Sequence, residues 1–150
     1  MYTLILNDPQ IFCLPTDEDL VGYAPLLAME REIKIAMETN CEIVVVKYLE
    51  MGPIHPRVRQ LLAGYKRVLM VGKDQWNGAR EILKTCREFG FSTGNFRICG
   101  FYTHRCVQST VRGLKVLMPE CRIAVVKDAC DDYEGNRWST FPKLPGVFFV

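Results

Sequence analysis

A chain of 150 residues, 49% hydrophobic and 24% charged, fits one globular domain over residues 1–150 with a sizeable single core. Its formal net charge of +2 is small and its Lys and Arg residues are scattered, which argues against a nucleic-acid partner. No apolar run approaches the roughly 20 residues of a membrane span, and the opening MYTLILNDPQ has an acid where a signal peptide carries its basic and long apolar regions, so the expectation is a cytoplasmic protein without a membrane partner.

TLILND, Thr3 to Asp8, is a near-continuous apolar run ended by Asp-Pro and predicts a buried strand stopped by a turn. A helix follows, with Pro25 in its first turn and one apolar stripe of Leu26, Met29, Ile33, Ala36 and Met37, ended by Thr39 and Asn40. EIVVVKYL, Glu42 to Leu49, is rich in β-branched residues and reads as the second strand. Past GPIHP, the spacing of Val58, Leu61, Leu62 and Tyr65 predicts a short helix, and RVLMVGK, Arg67 to Lys73, a third strand. Ala79, Ile82, Leu83 and Cys86 mark another helix. FRICG then gives a strand, and from Val107 the apolar residues fall at helical spacing, so that Cys106 is expected to open a helix. RIAVVKDAC, Arg122 to Cys130, and the terminal GVFFV complete the alternation.

Strands alternating with helices, most strands apolar on both faces, predict an α/β fold in three layers, a parallel sheet covered on two sides. Ligands of such sheets bind outside the carboxyl ends of the strands. The polar residues expected there are Asp8, Glu50, Lys73, the segment Gly100 to Cys106, and Asp128. An acid, an ammonium and a thiol thus share one rim. A thiol has an ordinary pKa of about 8.5, and a helix N-terminus with a nearby Lys is expected to lower it. Asp8 can take its proton, and backbone N–H groups in the turn before the helix can face the oxyanion formed when the thiolate attacks a carbonyl. The chemistry so described is acyl transfer from a carbonyl compound to water. The other cysteines, at 13, 41, 86, 99, 121 and 130, contain no CxxC pair and read as small hydrophobes in a reducing compartment.

The stretch GFYTHRCVQSTVRGL resembles the Gly-x-x-Thr-x-x-Cys-Val segment of the isochorismatase-like cysteine hydrolases, a family that includes nicotinamidases and N-carbamoyl amide hydrolases. LILNDPQ is similar to that family's first strand ending in Asp-x-Gln, and the strand ending in Asp128-Ala129-Cys130 continues the likeness. The resemblance implies a Rossmann-like parallel sheet of about six strands and a triad of Asp8, Lys73 and Cys106. It also implies a cis peptide between Phe101 and Tyr102, with the N–H groups of Tyr102 and Cys106 as the oxyanion hole. A cysteine at 106 favours the amidase branch of the family, that is, cleavage of a C–N bond in a small amide or N-carbamoyl compound through an acyl-enzyme.

Two departures from the family pattern shape the remaining expectations. Nicotinamidases bind a divalent metal through Asp-x-His and a further His, whereas YLEMGPIHP offers Glu50 and one His, His55; neither a site metal nor any other cofactor is expected. The chain is also short for the family after Asp132, so a neighbouring subunit is expected to complete the rim in a homo-oligomer. Phe12, Tyr48, Trp76, Tyr102 and Trp138 are aromatic candidates near the rim, with Phe12, Tyr48, Trp76 and His104 taken to contact a small-molecule substrate. Two other classes stay open: a non-catalytic ligand-binding or interaction protein of the same fold, and a redox-active thiol protein pairing Cys106 with Cys130 or Cys99.

Overall fold

The computed structural model describes residues 1–150. Its elements run β1 (Thr3–Asn7), α1 (Asp17–Leu20), α2 (Ala24–Glu38), β2 (Glu42–Tyr48), α3 (Pro56–Leu62), β3 (Val68–Lys73), α4 (Ala79–Phe89), β4 (Asn95–Phe101), α5 (Gln108–Leu117), β5 (Arg122–Asp131) and β6 (Val147–Phe149). A π-turn at Thr103–Val107 precedes α5, and a 3-10 turn at Trp138–Thr140 precedes β6. The strands form a six-stranded sheet in the order β3-β2-β1-β4-β5-β6, and every neighbouring pair is parallel.

This order fixes where a ligand can bind. The chain steps outward from β1 to β2 to β3, then returns to the other side of β1 for β4. Right-handed crossovers put α2 and α3 on one face and α4 and α5 on the other. α2 packs across β1, β2, β4 and β5, while α4 packs on β3 and against α5. The reversal between β1 and β4 opens a crevice at their carboxyl ends, next to Asp8 and the Cys106 loop. β1 is buried along its whole length, because it lies in the middle of a sheet covered on both faces.

Two features differ from the sequence expectation. Cys106 does not begin a regular α-helix: it lies in the π-turn, where the N–H groups of Arg105 and Val107 both donate to the Tyr102 carbonyl at 3.1 Å, and α5 begins at Gln108. The fifth strand runs to Asp131, and its register against β4 slips from Ile98↔Val125 to Gly100↔Cys130. The residues between bulge outward, which leaves Asp128 exposed in mid-strand and away from the rim. Asp131 and Asp132 occupy the strand end instead. Hydrophobic period alone could not register the bulge, since a bulge keeps both flanking runs apolar.

β1 and β4 approach closely at one point. Gly100 has φ +131, and a Cβ there would sit 2.0 Å from the Asn7 carbonyl oxygen. Only glycine allows both that conformation and that approach.

Candidate active site

Three strand ends bring the acid, the ammonium and the thiol together. Asp8 follows β1 directly, its N–H bonded to the Val46 carbonyl at 2.9 Å. Its φ of 51° lies in the left-handed region, which Asp tolerates better than most residues. Lys73 ends β3, and its Nζ lies 3.0 Å from Asp8 Oδ2 and donates to the Trp76 carbonyl at 2.8 Å. Asp8 is 1% exposed, Lys73 2% and Cys106 7%, so the group is almost closed to solvent.

The hydrogen bonds leave one acceptor free. Asp8 Oδ2 takes the Lys73 ammonium and the Asn7 Nδ2 donor at 3.3 Å, while Oδ1 is buried with no partner in the protein. Asn7 Nδ2 also reaches the Phe101 carbonyl at 3.4 Å, joining the end of β1 to the end of β4. A buried, unsatisfied carboxylate oxygen costs free energy unless something donates to it. The Cys106 thiol and the Asp8 carboxyl each shift the other's proton affinity, so this acid and this thiol act on one another.

The electrostatics correct the expected state of the thiol. Burial, reinforced by the negative charge of Asp8 and only partly opposed by Lys73, pushes Cys106 from an ordinary 9.0 up to about 12. A helix terminus contributes about 0.3–1 kcal/mol, less than about one pKa unit. Burial is the larger effect, and the resting group is a neutral thiol. Burial also raises the Asp8 pKa, against the opposing influence of the Lys73 ammonium and the Cys106 thiol. A carboxylate with raised proton affinity is a better base for a neutral thiol than an ordinary one.

The turn before the thiol carries a cis peptide between Phe101 and Tyr102. The Tyr102 N–H makes no hydrogen bond within the turn. Beyond the turn, His104 N–H donates to Asp132 Oδ2 at 2.9 Å, and Thr103 Oγ1 meets Asn136 Oδ1 at 2.6 Å, so the segment after β5 clamps the Cys loop from outside.

The aromatic candidates divide. Tyr48 lies beneath Lys73, with Nζ 5.7 Å from its ring centre. Its backbone N–H and carbonyl both bond the Gln10 side chain at 2.7 Å. Phe12 is 63% exposed, and its carbonyl accepts from the Tyr102 hydroxyl at 3.4 Å. Phe12, Cys13, Tyr23, Tyr102, Asp131 and Tyr133 contribute to the wall of a cavity of about 260 Å³. Trp76 presents its carbonyl to Lys73 and its ring to Arg105. Trp138 packs with Phe141 and Phe149 by the last strand, its ring centre 6.4 Å from that of His104. The His104 imidazole also turns to that side, where its Nε2 accepts the Arg137 N–H at 2.7 Å.

The remaining candidates separate as well. Glu50 is exposed, whereas His55 is buried at the start of α3, its Nδ1 accepting the Arg57 N–H at 3.2 Å. An imidazole nitrogen committed to a helix cap is not free to bind a metal, and no three His, Cys, Asp or Glu side chains gather as a metal site. The donor set does not fit a divalent ion. Cys99 and Cys130 are buried in the core. The thiol that shares the electrostatic surroundings of Cys106 is Cys13, which no pattern of spacing singles out. Arg105, inside the Cys segment, and Tyr133 also flank this region; their only sequence signal is proximity to the thiol and to the end of the fifth strand.

No family model matches the chain, and no curated protein matches it. Solved structures do. An isochorismatase from Pseudomonas putida superposes with a TM-score of 0.69 at 22% identity, over 86% of this chain and 70% of that one. The nicotinamidase of Staphylococcus aureus gives 0.71 at 16% identity, over 89% and 86%. N-carbamoylsarcosine amidase from Thermoplasma acidophilum gives 0.71 at 16% identity, over 99% and 95%. The fold is therefore the isochorismatase-like α/β fold.

Proposed function

We propose that this protein is a cysteine hydrolase that cleaves the C–N bond of a small amide or N-carbamoyl compound. The observation that carries the proposal is the buried group formed by Asp8, Lys73 and Cys106 at the carboxyl ends of the strands. The ammonium stands 3.0 Å from one carboxylate oxygen, and the other oxygen has no partner. The solved structures of the same fold, among them a nicotinamidase and an N-carbamoylsarcosine amidase, support the same class of reaction.

In this reading Asp8 takes the Cys106 proton as Sγ attacks the carbonyl carbon, so ionisation and bond formation occur together and no free thiolate is needed. The carbonyl oxygen becomes an oxyanion held by the N–H groups of Tyr102 and Cys106. Protonated Asp8 passes its proton to the departing nitrogen, the C–N bond breaks, and an acyl thioester remains. Water then attacks the thioester, Asp8 takes its proton, and the returning proton restores the thiol. Net, an amide and one water give an acid and ammonia or an amine. Lys73 holds the Asp8 carboxylate in place and keeps positive charge in a site that would otherwise disfavour any anion.

The test is a screen of purified protein against small primary amides and N-carbamoyl compounds, read as ammonia release. Turnover is expected, with Cys106→Ala abolishing it while the protein stays folded, and mass spectrometry of trapped protein should find the acyl group on Cys106. Dialysis against a chelator should leave the rate unchanged. A fully active Cys106→Ala protein would overturn the reading, and activity lost on chelation and restored by Zn²⁺ would overturn its metal-free form.

A further inference from the structure

Four arginines are withdrawn from full exposure: Arg57, Arg67, Arg97 and Arg105. Arg57 pairs with Glu30 at 2.6 Å, Arg67 with Glu42 at 2.6 Å, and Arg97 with Glu32 at 2.8 Å. Arg105 has no ion pair, and its guanidinium has no hydrogen bond either. It is also the residue next to the Cys106 thiol.

The guanidinium is held in place by rings. Its centre lies 5.3 Å from the Trp76 ring centre and 4.6 Å from that of Tyr133. Tyr133 in turn packs edge-on against Tyr102, with 5.2 Å between ring centres, and both tyrosines line the cavity of about 260 Å³. Trp76 belongs to the segment whose carbonyl holds Lys73. The positive charge of Arg105 is felt at the Tyr102 hydroxyl, as is the Cys106 thiol. No carboxylate pairs with it: the two oxygens of Asp132, on the segment that also carries Tyr133, accept the His104 N–H at 2.9 Å and the Glu134 N–H at 3.1 Å. Aromatic contacts satisfy the faces of a guanidinium and leave its N–H edge available, and that edge matches a carboxylate in a bidentate pair.

We propose that Arg105 is a specificity residue that receives a carboxylate on the substrate. The preferred compounds are then small amides or N-carbamoyl compounds that carry a carboxylate a few bonds from the scissile C–N bond. This rests on the hydrolase reading above, and it adds the charge of the substrate.

The test uses two matched pairs, N-carbamoylglycine with N-propylurea and succinamic acid with butyramide, in which a carboxylate replaces an apolar end. The anion of at least one pair should have the higher kcat/KM. In Arg105→Met, which keeps an apolar stem between the rings, the anion-to-neutral ratio should fall by about 10–100-fold, chiefly through KM. Arg105→Lys should restore part of it. A ratio that stays the same, because both members lose activity equally, would make Arg105 a packing residue and overturn the inference, as would a preference for the neutral members. Calorimetric titration of the same compounds into Cys106→Ala protein reads recognition without turnover. Tighter binding of the anions there, lost in the Cys106→Ala/Arg105→Met double variant, supports this inference even if no amide is hydrolysed. Failure of both anions to bind overturns it, even if neutral amides are turned over.

Discussion

Burial acts in the same direction on both partners of the candidate proton transfer, and that has consequences for pH. Asp8 must be ionised to accept a proton, and its raised pKa moves the acid limb of the rate profile above the ordinary carboxylate value of about 3.9. Cys106, pushed up to about 12, should alkylate slowly with iodoacetamide at neutral pH, and its rate should climb without a plateau through about pH 10. A plateau near neutrality in Cys106 alkylation, followed by peptide mapping, would mean that a thiolate exists before substrate arrives. The same shift sets a stability trend: a thiol raised on folding from 9.0 to about 12 contributes stability that is present below 9 and lost as pH rises through that window. Unfolding midpoints should fall over that range and fall less steeply in Cys106→Ala. The ion pair makes a second claim. Lys73→Met leaves Asp8 buried without its partner and should cost about 3–5 kcal/mol, whereas the double variant Asp8→Asn/Lys73→Met should be less destabilised than the sum of the two single changes. Urea titrations of all three proteins measure the difference, and additive losses would show that the pair does not act as a unit.

At the scale of elements, the site depends on how closely β1 and β4 run. Asn7 pairs with Gly100 in register, and the Asn7 side chain reaches both Asp8 and the Phe101 carbonyl. Gly100→Ala would drive a Cβ into the Asn7 carbonyl and force an unfavourable φ, so it should cost about 3 kcal/mol or more in an unfolding titration and displace both the acid and the Cys loop. A neutral Gly100→Ala would mean that the two strands can part without loss. The Cys loop is held from the other side by the residues after β5, through Asp132, Asn136 and the Arg137 N–H. The π-turn fits this setting. It adds a residue to the turn before α5, an irregularity common at functional sites.

For the whole molecule, no helix is long and apolar enough to cross a membrane. Apolar side chains remain exposed on the α4 and α5 side, with Phe89 62%, Val116 78% and Leu117 48% accessible. We propose that copies of the chain associate as a homodimer or larger assembly that covers these side chains. Light scattering at micromolar concentration should report at least twice the monomer mass of 17.2 kDa, and a monomer would refute this.

The alternation of strands and helices, the burial of β1 and β2, and the presence of Asp8, Lys73 and a thiol near strand ends are all legible in the amino-acid order. These depend on hydrophobic period and turn chemistry, which act over a few residues and are written locally. The rest depends on contacts between segments far apart in the chain. Asp128 left the rim because a bulge in β5 arises from pairing with β4, not from the residues of β5 alone. The thiol pKa moved up, not down, because desolvation sums over everything packed around Cys106, whereas a helix start contributes only a local effect. Arg105 became distinctive for the same reason. Its two rings come from the loop after β3 and the segment after β5, and its lack of a carboxylate follows from where every acid of the chain is carried by the fold. Charge pairing and burial are properties of the assembled chain, since they depend on neighbours distant in sequence.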